Sequence, residues 1–182
     1  QVYSTRIIFA GDSAGGSLVA SVAIEASKRG LPAPAGGLML SPWVDLSDVG
    51  ITDSWYRNEA YDYLPQGLAR YFAKQYMGTL VDDGIVSPIY SKRLEDLPPL
   101  HIELGECEVL HDQIIAFAEK AKAHGVQVDV NVRQDMVHVF CLFAVSGLLQ
   151  CQSAFESMAM FVRARTRESL LATFPTIDID LI

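Results

Sequence analysis

Four short apolar runs constrain this chain most, because they alternate with segments of helical character. Arg6–Ala10, Gly37–Ser41, Leu100–Leu104 and Val126–Val132 each have the length and composition of a strand. The first reads as a short buried strand, GLMLS as a strand buried on both faces, and VQVDVNV alternates apolar with polar residues. Between and after them, Ser17–Lys28, Asp112–His124 and about Leu148–Arg165 read as helices. In the first helix Leu18, Val22 and Ala26, with Val19 and Ala23, fall on one apolar face, and Gly30 and Pro32 close it. Gly125 caps the second helix. Strands alternating with helices predict an α/β architecture, a mostly parallel sheet flanked by helices.

Two stretches depart from that rhythm. Trp43–Pro88 is rich in Asp, Tyr, Gly and Ser, with one helix over about Gln66–Tyr76, and is expected to lie over the edge of the sheet. The closing residues TFPTIDIDLI read as an extended tail.

Bulk composition narrows the partners. The 182 residues suffice for one domain with a sizeable core, and half of them are hydrophobic. Fourteen basic against 22 acidic side chains give a net charge of −8, which argues against nucleic acid. The three cysteines, Cys107, Cys141 and Cys151, are an odd number without CxxC spacing. Buried free thiols are expected, with neither a disulfide framework nor a zinc site. No apolar run is long enough for a transmembrane helix. The chain begins with Gln1, so the lack of a leader says little about compartment.

The first apolar run ends in Gly11-Asp12-Ser13-Ala14-Gly15 and passes directly into a helix. This is G-x-S-x-G in the setting where it has mechanical meaning, a sharp strand-to-helix turn that exposes the serine hydroxyl. Glycines on either side let strand and helix approach closely, and the Ala14 N–H with the helix dipole can stabilise an oxyanion formed at Ser13. A phosphate-binding turn fits less well, since no GxGxxG and no Lys-Ser or Lys-Thr pair is present.

A serine nucleophile needs a base, and four histidines are available. His101 lies within a strand, His111 at a helix start and His124 beside a helix end, all structural or surface positions. His138 lies in the loop after the last strand, where sheets of this type carry their reactive groups, and is the expected base. For the acid, Glu106, Glu108 and Asp112 all follow the strand Leu100–Leu104, and only one of them can face His138.

With these residues in view, the chain resembles the hormone-sensitive-lipase-like esterase branch of the α/β-hydrolase family. GDSAGG is that branch's nucleophile motif; SPWVDLS (Ser41–Ser47), Asn58-Glu59-Ala60, Ser87-Pro88 and His138-Val139-Phe140 resemble further stretches, with Val139 where the family has glycine. The family order of Ser, acid, His places the acid between Ser13 and His138. Its acid-loop pattern maps the triad acid onto Glu108, where Asp is commoner, and a supporting acid onto Asp112. Gly11, Asp12 and Gly15 support the elbow.

The resemblance implies carboxylic ester hydrolysis of small or short-acyl esters, with no metal or organic cofactor required. Trp43, Trp55, Tyr61 and Phe140 could size the pocket or simply fill the core. The family's upstream His-Gly-Gly-Gly stretch, N-terminal strands and cap are not in these residues, so 1–182 is expected to be the C-terminal part of a single catalytic domain and poorly active alone. An upstream half or another chain would then cover an exposed edge at Arg6–Ala10. The alternatives are a non-catalytic receptor on the same fold, which would replace the histidine, or a fragment acting through its exposed edge.

Overall fold

A computed structural model of the chain describes residues 4–47, 50–78 and 84–173. Strands β1 (Ile8–Asp12), β2 (Gly36–Leu40), β3 (Leu100–Gly105) and β4 (Val128–Arg133) form one parallel sheet in the order β1-β2-β3-β4. Parallel neighbours require crossovers. Helix α1 (Ala14–Lys28) links β1 to β2, and α4 (His111–Ala123) links β3 to β4. The β2–β3 connection carries α2 (Asp53–Asn58) and α3 (Gln66–Met77), and α5 (Leu149–Thr173) follows β4.

Alternation along the strands separates two cores. Met39, Ile102 and Leu104 join Val19 and Ile24 of α1 and Phe117 of α4 on one face. Leu38 and Leu40 face the other way, against Phe140, Cys151, Ala154 and Met158. All of β3 is buried, including His101 and Glu103, whose charge is answered locally. Arg133 donates to both Glu103 oxygens, from Nε at 2.7 Å and Nη2 at 3.0 Å, while His101 Nε2 lies 2.8 Å from Oε1.

Several boundaries and faces differ from the sequence reading. The first strand runs Ile8–Asp12 instead of Arg6–Ala10, because Arg6 belongs to a 3-10 turn and the ladder to β2 continues through the pair Asp12 and Leu40. It is an edge strand with no fully buried residue, so its apolar content overstated its burial. In α1 the buried stripe is Val19, Ala20, Ala23 and Ile24, while Leu18 and Val22 are about half exposed, at 46% and 48%. The helix begins at Ala14, so the stripe is phased from the elbow and not from Ser17.

The long excursion is held to α1 and α4 by Ser17 Oγ to the Trp43 carbonyl, Ser21 Oγ to the Ile85 carbonyl, and Gln113 Oε1 accepting from Asp45 N–H. Within it Trp43 and Trp55 are core residues, as is Phe140 beneath α5, whereas Tyr61 is exposed. Helix α2 had no counterpart in the sequence reading, and the last helix extends to Thr173. The rest of the tail, 174–182, lies outside the described residues. The three thiols are free, but only Cys151 is buried.

Candidate active site

The site grows from the turn after β1. Ser13 N–H continues the ladder to the Leu40 carbonyl at 2.9 Å, and the chain then reverses through a left-handed φ of 51° into α1. The Ser13 carbonyl accepts from Trp43 N–H at 2.9 Å and Gly16 N–H at 3.0 Å, which pins the corner from both sides. A Cβ at Gly11 would lie 2.3 Å from the Gly15 carbonyl oxygen, and one at Gly16 would lie 2.7 Å from Pro42 Cβ. At Gly15 the space is open. The close approach expected of Gly11 and Gly15 therefore belongs to Gly11 and Gly16. Ala14 opens the helix, so its N–H has no carbonyl one turn earlier within α1 and points with the positive end of the dipole. Ala14 and Asp12 are exposed at the mouth of the turn.

The carboxyl ends of β3 and β4 bring the partners. His138 Nε2 lies 2.9 Å from Ser13 Oγ, although the two residues are 125 positions apart. The imidazole is almost wholly buried, and Tyr63 stands 6.0 Å from it, ring centre to ring centre. Burial, and then the charges of Asp62, Glu108 and Asp12, keep the Tyr63 phenol above its usual value and so protonated.

Of the three acids after β3, Glu108 faces His138, with Oε1 at 3.8 Å from Nδ1. Its other oxygen is occupied: Oε2 accepts from Ser41 Oγ at 2.6 Å and from Gly105 N–H at 2.8 Å. Both Nδ1 and Oε1 are buried with no hydrogen-bond partner. Asp112 is engaged elsewhere, accepting from Ser54 N–H at 2.8 Å and Arg57 Nη2 at 3.0 Å, with His111 Nδ1 at 3.0 Å. Burial pushes its carboxyl up, but those hydrogen bonds outweigh burial and hold it below the usual carboxylate range. Glu106 is exposed and accepts from Asp135 N–H at 3.2 Å. His101, His111 and His124 sit in β3, at the start of α4 and at its C-cap.

Three side chains to which the sequence reading gave no role brace these loops. Asp62 accepts from Val109 N–H at 2.8 Å and from His138 N–H at 3.3 Å, joining the acid loop to the histidine loop. Asn58 Nδ2 donates to the Glu108 carbonyl at 2.8 Å. Ser41 bridges Glu108 and Val139. Ser41 and Asn58 stood in the sequence only as members of family-like stretches, Ser41–Ser47 and Asn58-Glu59-Ala60, and Asp62 only within a polar run of the excursion; none of these signals names the groups that they reach.

Among the described residues, Glu106, Cys107 and Asp135 are the group with metal-ligand spacing. Burial, with the charges of Glu106 and Asp135 beside it, raises the Cys107 thiol above its usual value. A cleft of about 420 Å³ opens beside the elbow, lined by Ala14, Leu18, Trp43, Phe72 and Tyr76 among others.

The chain that carries this elbow is matched by a family model. The model described as the alpha/beta hydrolase fold covers residues 1–142. The chain belongs to the α/β-hydrolase fold family. Solved members lie close in structure: an esterase from the bacterial hormone-sensitive lipase family superposes with a TM-score of 0.84 at 34% identity, over 90% of this chain and 55% of that one. A hormone-sensitive lipase from a metagenome library gives 0.84 at 33% identity, over 90% and 54%. These neighbours put this α/β-hydrolase on the hormone-sensitive-lipase-like branch.

Among curated relatives, an acetyl-hydrolase of Streptomyces hygroscopicus is 32% identical over 166 residues, 91% of this chain and 54% of its own. An ethyl acetate hydrolase of Pseudomonas putida is 32% identical over 87% of this chain and 49% of its own. The α/β-hydrolase chain thus spans about half the length of the relatives it matches. Val139, where the family motif has glycine, takes a left-handed φ of 43°, which costs a β-branched residue about 1–2 kcal/mol. No helix of the described residues is long and apolar enough to cross a membrane.

Proposed function

We propose that this chain carries the Ser-His-Glu machinery of a carboxylic ester hydrolase acting on small or short-acyl esters, within the C-terminal part of a single catalytic domain. The observation that carries the reading is the 2.9 Å separation of Ser13 Oγ and His138 Nε2 on a strained elbow. Ser13 Oγ attacks the ester carbonyl carbon while its proton passes to His138 Nε2. The oxyanion is met by Ala14 N–H, the donor that this segment supplies. Collapse of the tetrahedral species expels the alcohol, which takes the proton back from His138 and leaves Ser13 acylated. Water, deprotonated by the same nitrogen, then attacks the acyl carbon, and collapse breaks the bond to Ser13 Oγ, which takes the proton back from His138 as the acid leaves.

Glu108 orients His138 and supports the imidazolium. The 3.8 Å from Nδ1 to Oε1 closes to hydrogen-bond length as that charge develops, as catalytic contacts commonly tighten once substrate is bound. Asp112 acts as a brace between α2 and α4, and Gly11, Asp12 and Gly15 belong to the elbow. The scheme needs no metal or organic cofactor. The preference for short acyl groups draws on the relatives named acetyl-hydrolase and ethyl acetate hydrolase.

The test is labelling of the full-length chain with a fluorophosphonate, together with turnover of p-nitrophenyl acetate and decanoate. The adduct is expected on Ser13 and the acetate is expected to turn over faster. Undiminished labelling or turnover in Ser13→Ala would remove the nucleophile assignment, and ligand binding without turnover would favour the receptor reading.

A further inference from the structure

We propose that Ser41 is the positioning residue that selects which Glu108 oxygen faces His138 and holds the acid and histidine loops in register; the proposal rests on the triad reading above. Ser41 follows the last residue of β2 and is 1% exposed. Its N–H donates to the Glu103 carbonyl at 2.7 Å, so its backbone is anchored to β3. Its φ of 43° is left-handed, a conformation that a non-glycine residue adopts only where its surroundings enforce it. From that anchored corner the hydroxyl reaches both loops at once. It donates to Glu108 Oε2 at 2.6 Å and accepts from Val139 N–H at 3.0 Å. Val139 adjoins His138 and is itself left-handed, with φ 43°.

The consequence for chemistry follows from what each Glu108 oxygen is doing. Oε2 is saturated by Ser41 Oγ and Gly105 N–H, leaving Oε1 as the oxygen directed at His138 Nδ1. Glutamate has one more rotatable bond than the aspartate commoner at this place, so its carboxylate needs an external clamp to keep one oxygen aimed. Ser41 supplies that clamp from the strand that lies between β1, which carries Ser13, and β3, which carries the acid loop. It touches no reacting atom and acts only through Glu108 and the histidine loop.

The experiment compares Ser41→Ala, Ser41→Gly and Ser41→Thr in the full-length chain. Ala and Gly both remove the hydroxyl, but Gly also relieves the left-handed strain. If the hydroxyl positions the acid, kcat falls by about a hundredfold in both, the scale of roughly 1 Å of misplacement. KM stays within about twofold, because the lost interaction serves the transition state. Thr, which keeps the hydroxyl, is expected to recover most of kcat. Recovery by Gly and not by Thr would assign Ser41 a purely backbone role and overturn the proposal, as would parental kcat in Ala and Gly.

A second readout needs no turnover. Crystal structures of Ser41→Ala and Ser41→Gly are expected to show the Glu108 carboxylate rotated away from His138. An Oε1 to Nδ1 separation still near 3.8 Å would overturn the proposal. If the parental chain shows no Ser13-dependent turnover, the ester-hydrolase reading fails by itself, and this structural readout still decides the role of Ser41.

Discussion

Two glycines of the G-x-S-x-G turn should respond in opposite directions to the same added methyl group. At Gly11 the new Cβ would sit 2.3 Å from the Gly15 oxygen and 2.4 Å from its carbonyl carbon, both backbone atoms. Ordinary contact is about 3.5 Å, so the first turn of α1 must retreat by about 1 Å. Overpacking of this kind costs about 1–3 kcal/mol. At about 2–4 °C per kcal/mol for a chain of this size, Gly11→Ala should melt about 2–12 °C lower. At Gly15 nothing lies within 4 Å and the residue is already helical. Alanine there narrows the unfolded ensemble and should add about 0.4–1 kcal/mol, a rise of about 1–4 °C. Far-UV circular dichroism melts at one scan rate would measure both. A Gly11→Ala protein that melts at or above the parent, or a Gly15→Ala protein that falls further than Gly11→Ala, would refute the account of the elbow.

Other outcomes follow from the acids and thiols. Glu108→Gln should cut turnover by about 10⁴-fold, the scale of neutralising a triad acid, while Asp112→Asn should cost far less; the reverse order in steady-state kinetics would move the triad role to Asp112. Because the native Asp112 carboxyl titrates below its unfolded value, its ion pair and hydrogen bonds stabilise the fold above about pH 4 and are lost as pH falls through the lower native value. The melting gap between parent and Asp112→Asn should therefore narrow between pH 5 and pH 2, and a widening gap would contradict the assignment of its partners. Burial raises the Cys141 thiol to about 12. At pH 8 about one part in ten thousand is thiolate, so iodoacetamide should modify Cys141 only after unfolding, and rapid native labelling mapped by mass spectrometry would contradict this.

How much of this was legible in the sequence depended on the kind of interaction. Apolar or alternating runs marked all four strands, although only the central β2 and β3 are largely buried, and apolarity did not fix strand ends. Asp12 pairs in the β1 ladder despite its charge, and Arg6 turns away. The α1 stripe was misphased because Leu18 and Val22 are apolar yet point away from the sheet, and a helical wheel cannot tell which of two apolar faces is covered. Ser13 and His138 stood out through a motif and a loop position, whereas Glu108 was separated from Glu106 and Asp112 only by the resembled family's acid-loop pattern. The roles of Ser41, Asn58 and Asp62 could not be read there, since these side chains act on groups supplied by distant segments, the Glu108 carboxylate and several backbone N–H and carbonyl groups, and a local pattern carries no record of those.

The hydrogen bonds that make the site also determine when it forms. Ser13 to His138 spans 125 residues, Ser41 to Val139 98, Asp62 to His138 76, and Ser41 to Glu108 67. Each closes a long loop, and long-range closure is paid in chain entropy before the contact returns anything. Helices and neighbouring strand pairs can form from local sequence, whereas these four contacts must wait for the whole sheet. During folding, the assembled site is thus expected to form after the helices and neighbouring strand pairs. In mild denaturant it should be the first to vanish, with Ser13 going silent toward phosphonates while most of the helical signal remains.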